Sequence, residues 1–294
     1  MSLTRGNLLA LLGASLLLPN CSQKNSGGIR IGSKNFTESF VVAEIYAQTL
    51  EGAGITVERK FNLGSVQIAM TALTRGEIDF YPEYTGTALI DVLKLPQLRN
   101  AKQIYDTVKR DYQSRYHLTW LAPSPMNNSQ ALATTQTISK KYNLTTLSQC
   151  ARLAPQLRLA AIPEFVARAD ALPGLQKFYG GFAFKNVRTY DIGLKYKALL
   201  DGDADVCTAF TTDGQIGVSN LVVLKDDRHF WPAYNVAPVI TDGALRKYPQ
   251  ITSLLNRVTA LITDESARKL NYEVDGQHQE VADVVSAFLK GSPK

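Results

Sequence analysis

Tyr84, Thr85 and Thr87 lie together in the stretch EIDFYPEYTGTA (77–88), and their types suit the capture of a small zwitterion. An aromatic face attracts a cation. Hydroxyls beside the N–H groups of a helix start hold an anion. Ile78, Phe80 and Tyr81 have strand character,. Pro82 cannot continue a central strand, so a strand over 77–81 and a bent turn are predicted,. Ligands of open α/β sheets bind at such strand ends. The alternative for Tyr84 is plain packing in a buried turn, and for Thr87 a helix cap.

Other chemistry finds little support. The sequence has no G-x-S-x-G elbow, no HExxH and no CxxC, and His117, His229 and His278 are far apart,. No metal, cofactor or enzymatic activity is expected. The 294 residues are 45% hydrophobic, which suffices for two lobes or one large domain,. The net charge of +6 comes from scattered basic residues, without the basic runs or aromatic stripes of a nucleic-acid binder,.

Arg5 precedes an apolar run from Leu8 to Leu18, too short to span a bilayer and suited to a signal-peptide core,. Residues 1–20 are therefore read as a signal peptide, and 21–28 as Cys21 with a flexible tether. Cys21 directly after this core resembles the lipobox of bacterial lipoproteins, although Pro19 and Asn20 depart from the usual small residues. This predicts a periplasmic or cell-surface protein held to the membrane by a lipid on Cys21 alone. Plain secretion is the alternative. An exported chain permits a disulfide between Cys150 and Cys207; two buried, unpaired thiols are the other option,.

The elements that position Tyr84 follow from periodicity. A strand at 29–34 leads to a helix from Asn35, where Glu38 has capping-box spacing,. A strand at 55–61, a helix at 65–74 and the 77–81 strand complete a β-α-β-α-β pattern, hence a doubly wound, mostly parallel sheet. Lys34, Asn35 and Tyr84 then end neighbouring strands on one sheet edge. An amphipathic helix spans 101–116, and the Pro-rich stretch after LTWLAPSPM (118–126) looks like a crossing into a second lobe. There, helices near 145–153, 164–178 and 191–201 alternate with strands at 157–162, 204–210 and 221–226. WPAYNVAPVI (231–240) is a second crossing, and two helices over 242–262 and 264–290 close the chain. No internal repeat is visible. The fold class is thus α/β, a two-lobed clamshell with two hinge crossings, and this arrangement resembles a type II periplasmic binding protein. Lobe one is 29–126 plus 236–294, and lobe two is 127–235.

GSKNFTE (32–38), YPEYTGT (81–87), NN (127–128), RADALPGLQKFYG (168–180), GLKYKALLDGDADV (193–206), TTDGQI (211–216) and LKDDRHFWPAYNVAPV (224–239) follow one another in order. Together they resemble the substrate-binding proteins of ABC importers for glycine betaine, choline and related osmoprotectants. The resemblance implies a monomer that captures a quaternary ammonium solute and delivers it to a permease driven by a cytoplasmic ATPase. It makes Tyr84 and Tyr234 aromatic walls, and Thr87 a hydroxyl for the ligand carboxylate. Lys34, with its neighbour Asn35, and Arg168 become basic-side contacts, and Asn128 a polar group near the cation. Asp213 either lines the cleft or orders its turn.

Two positions depart from the family pattern. Gln130 and Phe210 stand where many members carry tyrosines. Trp120, Phe230, Trp231 or another aromatic is expected to complete the cage, unless the ligand carries an extra polar group for Gln130. That group points to a larger betaine such as carnitine or ergothioneine. The same clamshell binding an amino acid or another polar solute, or acting as a sensor, remains the alternative.

Overall fold

A computed structural model of the protein describes residues 27–292. The segment 1–20 read as a signal peptide, and Cys21, lie outside the described residues. The chain opens with β1 (Ile29–Gly32), α1 (Thr37–Gly52), β2 (Val57–Lys60), α2 (Val66–Thr74) and β3 (Phe80–Tyr84). A short α3 (Thr85–Thr87) passes into a π-helical turn (Ala88–Val92), followed by α4 (Ala101–Tyr116) and β4 (Leu118–Trp120). Next come β5 (Gln130–Thr134), α5 (Gln136–Tyr142), α6 (Leu147–Leu153), β6 (Arg158–Ala161), α7 (Pro163–Ala167), α8 (Leu172–Tyr179) and β7 (Asn186–Thr189). They are followed by α9 (Leu194–Leu200), β8 (Val206–Phe210), α10 (Gly214–Val218) and β9 (Val222–Val223). The chain returns through β10 (Val236–Thr241) to α11 (Asp242–Lys247), α12 (Ile251–Thr259), α13 (Asp264–Asp275) and α14 (Val281–Gly291).

Two five-stranded sheets result, ordered β2-β1-β3-β10-β4 and β7-β6-β8-β5-β9. Each has parallel strands joined by helices and one inserted antiparallel strand, β10 or β5. Each inserted strand is reached directly from the other lobe, so the two linking stretches run side by side. They are tied by a bridge between Asn127 and Asn235. Both sheets are covered on both faces by apolar clusters, as alternating side chains of buried parallel strands require,.

The sheets share a device that the sequence pattern did not reveal. Arg30 donates its backbone N–H and both Nε and Nη2 to Asp79, and Asp79 N–H returns to Arg30 O. Arg158 and Asp205 repeat every one of these bonds in the second sheet.

Several boundaries differ from expectation. β3 runs through Pro82 in the middle of its sheet, opposite Pro238 of β10. Hydrogen bonds from Thr85 N to Asn235 O and from Thr241 N to Asp79 O set the alternation. Pro82 and Pro238 therefore fall on a non-hydrogen-bonded pair, so neither missing N–H breaks a bond between β3 and β10,. The expected 164–178 helix is two helices separated by Arg168–Ala171, and the two C-terminal helices are four. The expected Asn35 capping box is absent. Phe36 is the N-cap of α1 without a side-chain bond, and Glu38 turns into the interior.

Cys150 and Cys207 are free and buried, so the disulfide option is corrected. Cys150 packs with Leu132, Leu159 and Val206 on one face of the second sheet. Cys207 packs with Ala131, Ala160 and Ala209 on the other, so the sheet lies between the thiols. Burial pushes the Cys207 thiol up to about 12 and raises that of Cys150 further. Thiolate reactivity is suppressed accordingly. Protein beginning at Ser22 is expected to take up no iodoacetamide when native. After denaturation without reductant, mass spectrometry should find both cysteines alkylated.

Candidate ligand-binding cleft

Where the two sheets meet, a cavity of about 200 Å³ opens at the ends of β1, β3, β5 and β8. All nine residues singled out for ligand contact line it: Lys34, Asn35, Tyr84, Thr87, Asn128, Gln130, Arg168, Phe210 and Tyr234. Phe36 and Phe165, which sequence reasoning passed over, line it too. Trp120, Phe230 and Trp231 do not. Trp120 and Phe230 are core side chains, and Trp231 donates its Nε1–H to Asp170 O. The aromatic walls are therefore Tyr84, Tyr234, Phe210, Phe36 and Phe165.

β1 and β3 pair in parallel, which brings Lys34 beside Tyr84. The Lys34 ammonium is 2.6 Å from Glu83 Oε1 and 4.4 Å from the centre of the Tyr84 ring. Glu83 is fully buried and also accepts from Tyr81 Oη and Tyr84 N. Burial lowers the Lys34 pKa, against the opposing pull of Glu83.

The break between α7 and α8 carries Arg168 and Asp170 to the cavity. Arg168 forks onto Asp170 with Nε at 2.8 Å and Nη2 at 2.6 Å. Its Nη1 reaches Asp91, on the first-sheet side, at 3.5 Å. Burial is the largest single influence and opposes its charge, but the hydrogen bond and charge of Asp170 together with the fields of Tyr234 and Asp91 keep the Arg168 pKa raised. Asp170 also accepts from Tyr234 Oη at 2.5 Å and Gln130 Nε2 at 3.0 Å. Gln130 thus spends its donors on protein groups. Asp213 accepts from Phe210 N, Tyr196 Oη and Lys195 Nζ, and does not line this cavity; it orders the turn after β8.

The TGT step works through its glycine. A Cβ on Gly86 would sit 2.6 Å from two Tyr234 ring atoms. Thr85 does not serve the cavity, since its hydroxyl accepts from Asn235 N and fixes the second crossing. Replacing Gly86 by Ala should displace the Tyr234 ring and weaken ligand binding about tenfold, as overpacking costs of about 1–3 kcal/mol imply. Calorimetric titration checks this.

Glu38 was read as a cap and is instead an acid beside the cavity that accepts four side-chain hydrogen bonds, as many as Asp170. Its Oε1 accepts from Tyr84 Oη at 2.7 Å and Asn128 Nδ2 at 2.6 Å. Its Oε2 accepts from Thr212 Oγ1 and from Asn271 Nδ2 at 3.0 Å. Burial raises the Glu38 pKa, while the four donors pull it down.

Residues 27–291 match the family described as the substrate binding domain of ABC-type glycine betaine transport systems. The chain belongs to this family. It is a substrate-binding protein of the betaine class of ABC transporters. It is 34% identical to the carnitine transport binding protein of Listeria monocytogenes serotype 1/2a over 288 residues, covering 95% of this chain and 93% of that one. It is 32% identical to the ergothioneine transport permease/ergothioneine binding protein of Helicobacter pylori, covering 96% of this chain and 51% of that longer protein. A crystal structure of a glycine betaine/carnitine/choline ABC transporter superposes with a TM-score of 0.75 at 32% identity, covering 89% of this chain and 97% of that one. Among the described residues no helix is long and apolar enough to cross a membrane.

Proposed function

We propose that the cleft captures a quaternary ammonium compound such as glycine betaine, choline or a larger betaine, and that its nine sequence-selected residues make the contacts. One observation carries this reading: five aromatic side chains and two cations, buried Lys34 and half-buried Arg168, surround a single cavity. A trimethylammonium group donates no conventional hydrogen bond and is held by aromatic faces, each contributing about 0.5–2 kcal/mol. Lys34 already stands over the Tyr84 ring, so the ligand cation packs against the ring's free side, Tyr234 and Phe210. The carboxylate takes Arg168, Thr87 and the Lys34 side of the cavity.

A larger betaine is the second reading. Gln130 Oε1 makes no hydrogen bond among the described residues, while its Nε2 is committed to Asp170 and Tyr234. Oε1 would accept from the hydroxyl of carnitine or the ring N–H of ergothioneine. The relatives that carry those names support including both in any screen.

The lobes comprise 29–126 with 236–294, and 127–235. The protein acts outside the cytoplasmic membrane as a monomer anchored through lipid on Cys21. It performs no catalytic step and hands its solute to a permease with a cytoplasmic ATPase. Thermal-shift screening of protein beginning at Ser22 tests the ligand reading. A ligand at a hundredfold excess over Kd adds about 2.7 kcal/mol of apparent stability. Shifts confined to glycine betaine, choline, carnitine or ergothioneine support it, and shifts only with sugars or ordinary amino acids contradict it.

A further inference from the structure

Glu38 stands where four parts of the chain converge, yet it does not line the main cavity. Its Oε1 holds the hydroxyl of Tyr84, a cavity wall on the first sheet, and the amide of Asn128, on the first crossing. Its Oε2 holds the hydroxyl of Thr212, in the turn after β8 of the second sheet. Asn271 of α13 donates to both Glu38 Oε2 and Thr212 O, and so closes the ring. Gly214, two residues after Thr212, lies so close to Asn271 that a Cβ would be 2.7 Å from its backbone. The turn is thereby seated on α13. Glu38 belongs to α1, packed on the first sheet, and Thr212 to the turn after β8 of the second, so rotation of the lobes about the crossings acts on the bond between them. Where rotation breaks that bond, the same carboxylate loses a donor and Tyr84 loses part of its anchor.

We propose that Glu38 is a positioning residue that couples the Tyr84 wall to closure of the lobes through Thr212. A ligand that packs against Tyr84 stabilises the ring geometry that completes the Glu38 cluster, and the cluster in turn holds the lobes together. A carboxylate suits this task because all four partners are donors, and a buried acceptor left unpaired is costly. The inference rests on the ligand reading above only in its choice of probe.

Replacing Glu38 itself would disturb four groups at once, so the partners are the better variants. Thr212→Val removes the hydroxyl at nearly constant volume, and Thr212→Ser restores it. Tyr84→Phe keeps the ring and removes only its bond to Glu38. Glycine betaine titrations should show dissociation about tenfold or more faster for Thr212→Val, as loss of a hydrogen bond to a charged group implies. Thr212→Ser should lie within about twofold of wild type, a difference of about 0.4 kcal/mol or less. The Thr212→Val/Tyr84→Phe double variant should lose less than the product of the single losses, since both act through one carboxylate. Small-angle scattering with and without glycine betaine should find Thr212→Val more expanded than wild type in at least one condition.

The coupling is overturned if Thr212→Val binds and scatters as wild type does. It is also overturned if Thr212→Ser is as impaired as Thr212→Val, or if the two single losses simply multiply. A wild type that gives no heat with glycine betaine contradicts the ligand reading instead, and the scattering comparison then decides the coupling.

Discussion

Replacing Lys34 by Met is expected to destabilise the protein by about 3–5 kcal/mol, the usual cost of stranding one partner of a buried ion pair. Glu83 has no solvent access, and its Oε1 faces the Lys34 ammonium at 2.6 Å. Tyr81 Oη and Tyr84 N still donate to Glu83 in the variant, but neither supplies a full charge. The double variant Lys34→Met/Glu83→Gln should recover most of the loss, because a neutral amide no longer needs the cation. Denaturant titration of the three proteins checks the argument. A single variant as stable as wild type, or a double variant no better than the single, would show that the pair is not what holds the end of β3.

Replacing Arg168 by Ala is expected to weaken glycine betaine binding about a hundredfold or more. A charge-assisted bond to the ligand carboxylate is worth about 1.5–3 kcal/mol. The variant also leaves Asp170, almost fully buried, as an unbalanced negative charge at the cavity wall. Asp170 would then repel the carboxylate and loosen its hold on Tyr234. Choline has no carboxylate, so its affinity should fall much less. Parallel calorimetric titrations of the two ligands separate these effects. Equal losses for both would place the damage in the cage and not at an anion site.

Lys34, Asn35, Tyr84 and Thr87 were legible because strand ends can be read from local pattern, whereas Asn128, Gln130, Arg168, Phe210 and Tyr234 came only from the resemblance to the family. GSKNF and YPEYTGT each follow an apolar strand, and parallel pairing of Ile31 with Phe80 puts both ends on one edge. The acids behind that edge were not legible. Glu38 has the spacing of a capping box, but Phe36 takes the N-cap position, so no local partner claims the carboxylate. Its actual partners lie 46 residues away at Tyr84 and as far as 233 residues away at Asn271. Asp170 lies only two residues from Arg168, but that both face the cavity side depends on the break between α7 and α8. Pro82 misled for a different reason. Proline costs a ladder bond only where its nitrogen faces a partner strand, and the register of β3 against β10 cannot be read from either strand alone,. The failed disulfide has the same origin: alternation in β8 sends Cys207 to the face opposite Cys150.

The most direct test of the account compares glycine betaine with tert-butylacetate, which replaces the ammonium nitrogen by carbon and keeps the shape and the carboxylate. If aromatic faces hold the cation, each ring contributes about 0.5–2 kcal/mol that the carbon compound cannot collect. Calorimetric titration should then find tert-butylacetate at least about tenfold weaker, a difference of about 1.4 kcal/mol or more. Equal affinity for the two would mean that the cavity recognises shape and carboxylate alone, and would contradict the cation cage.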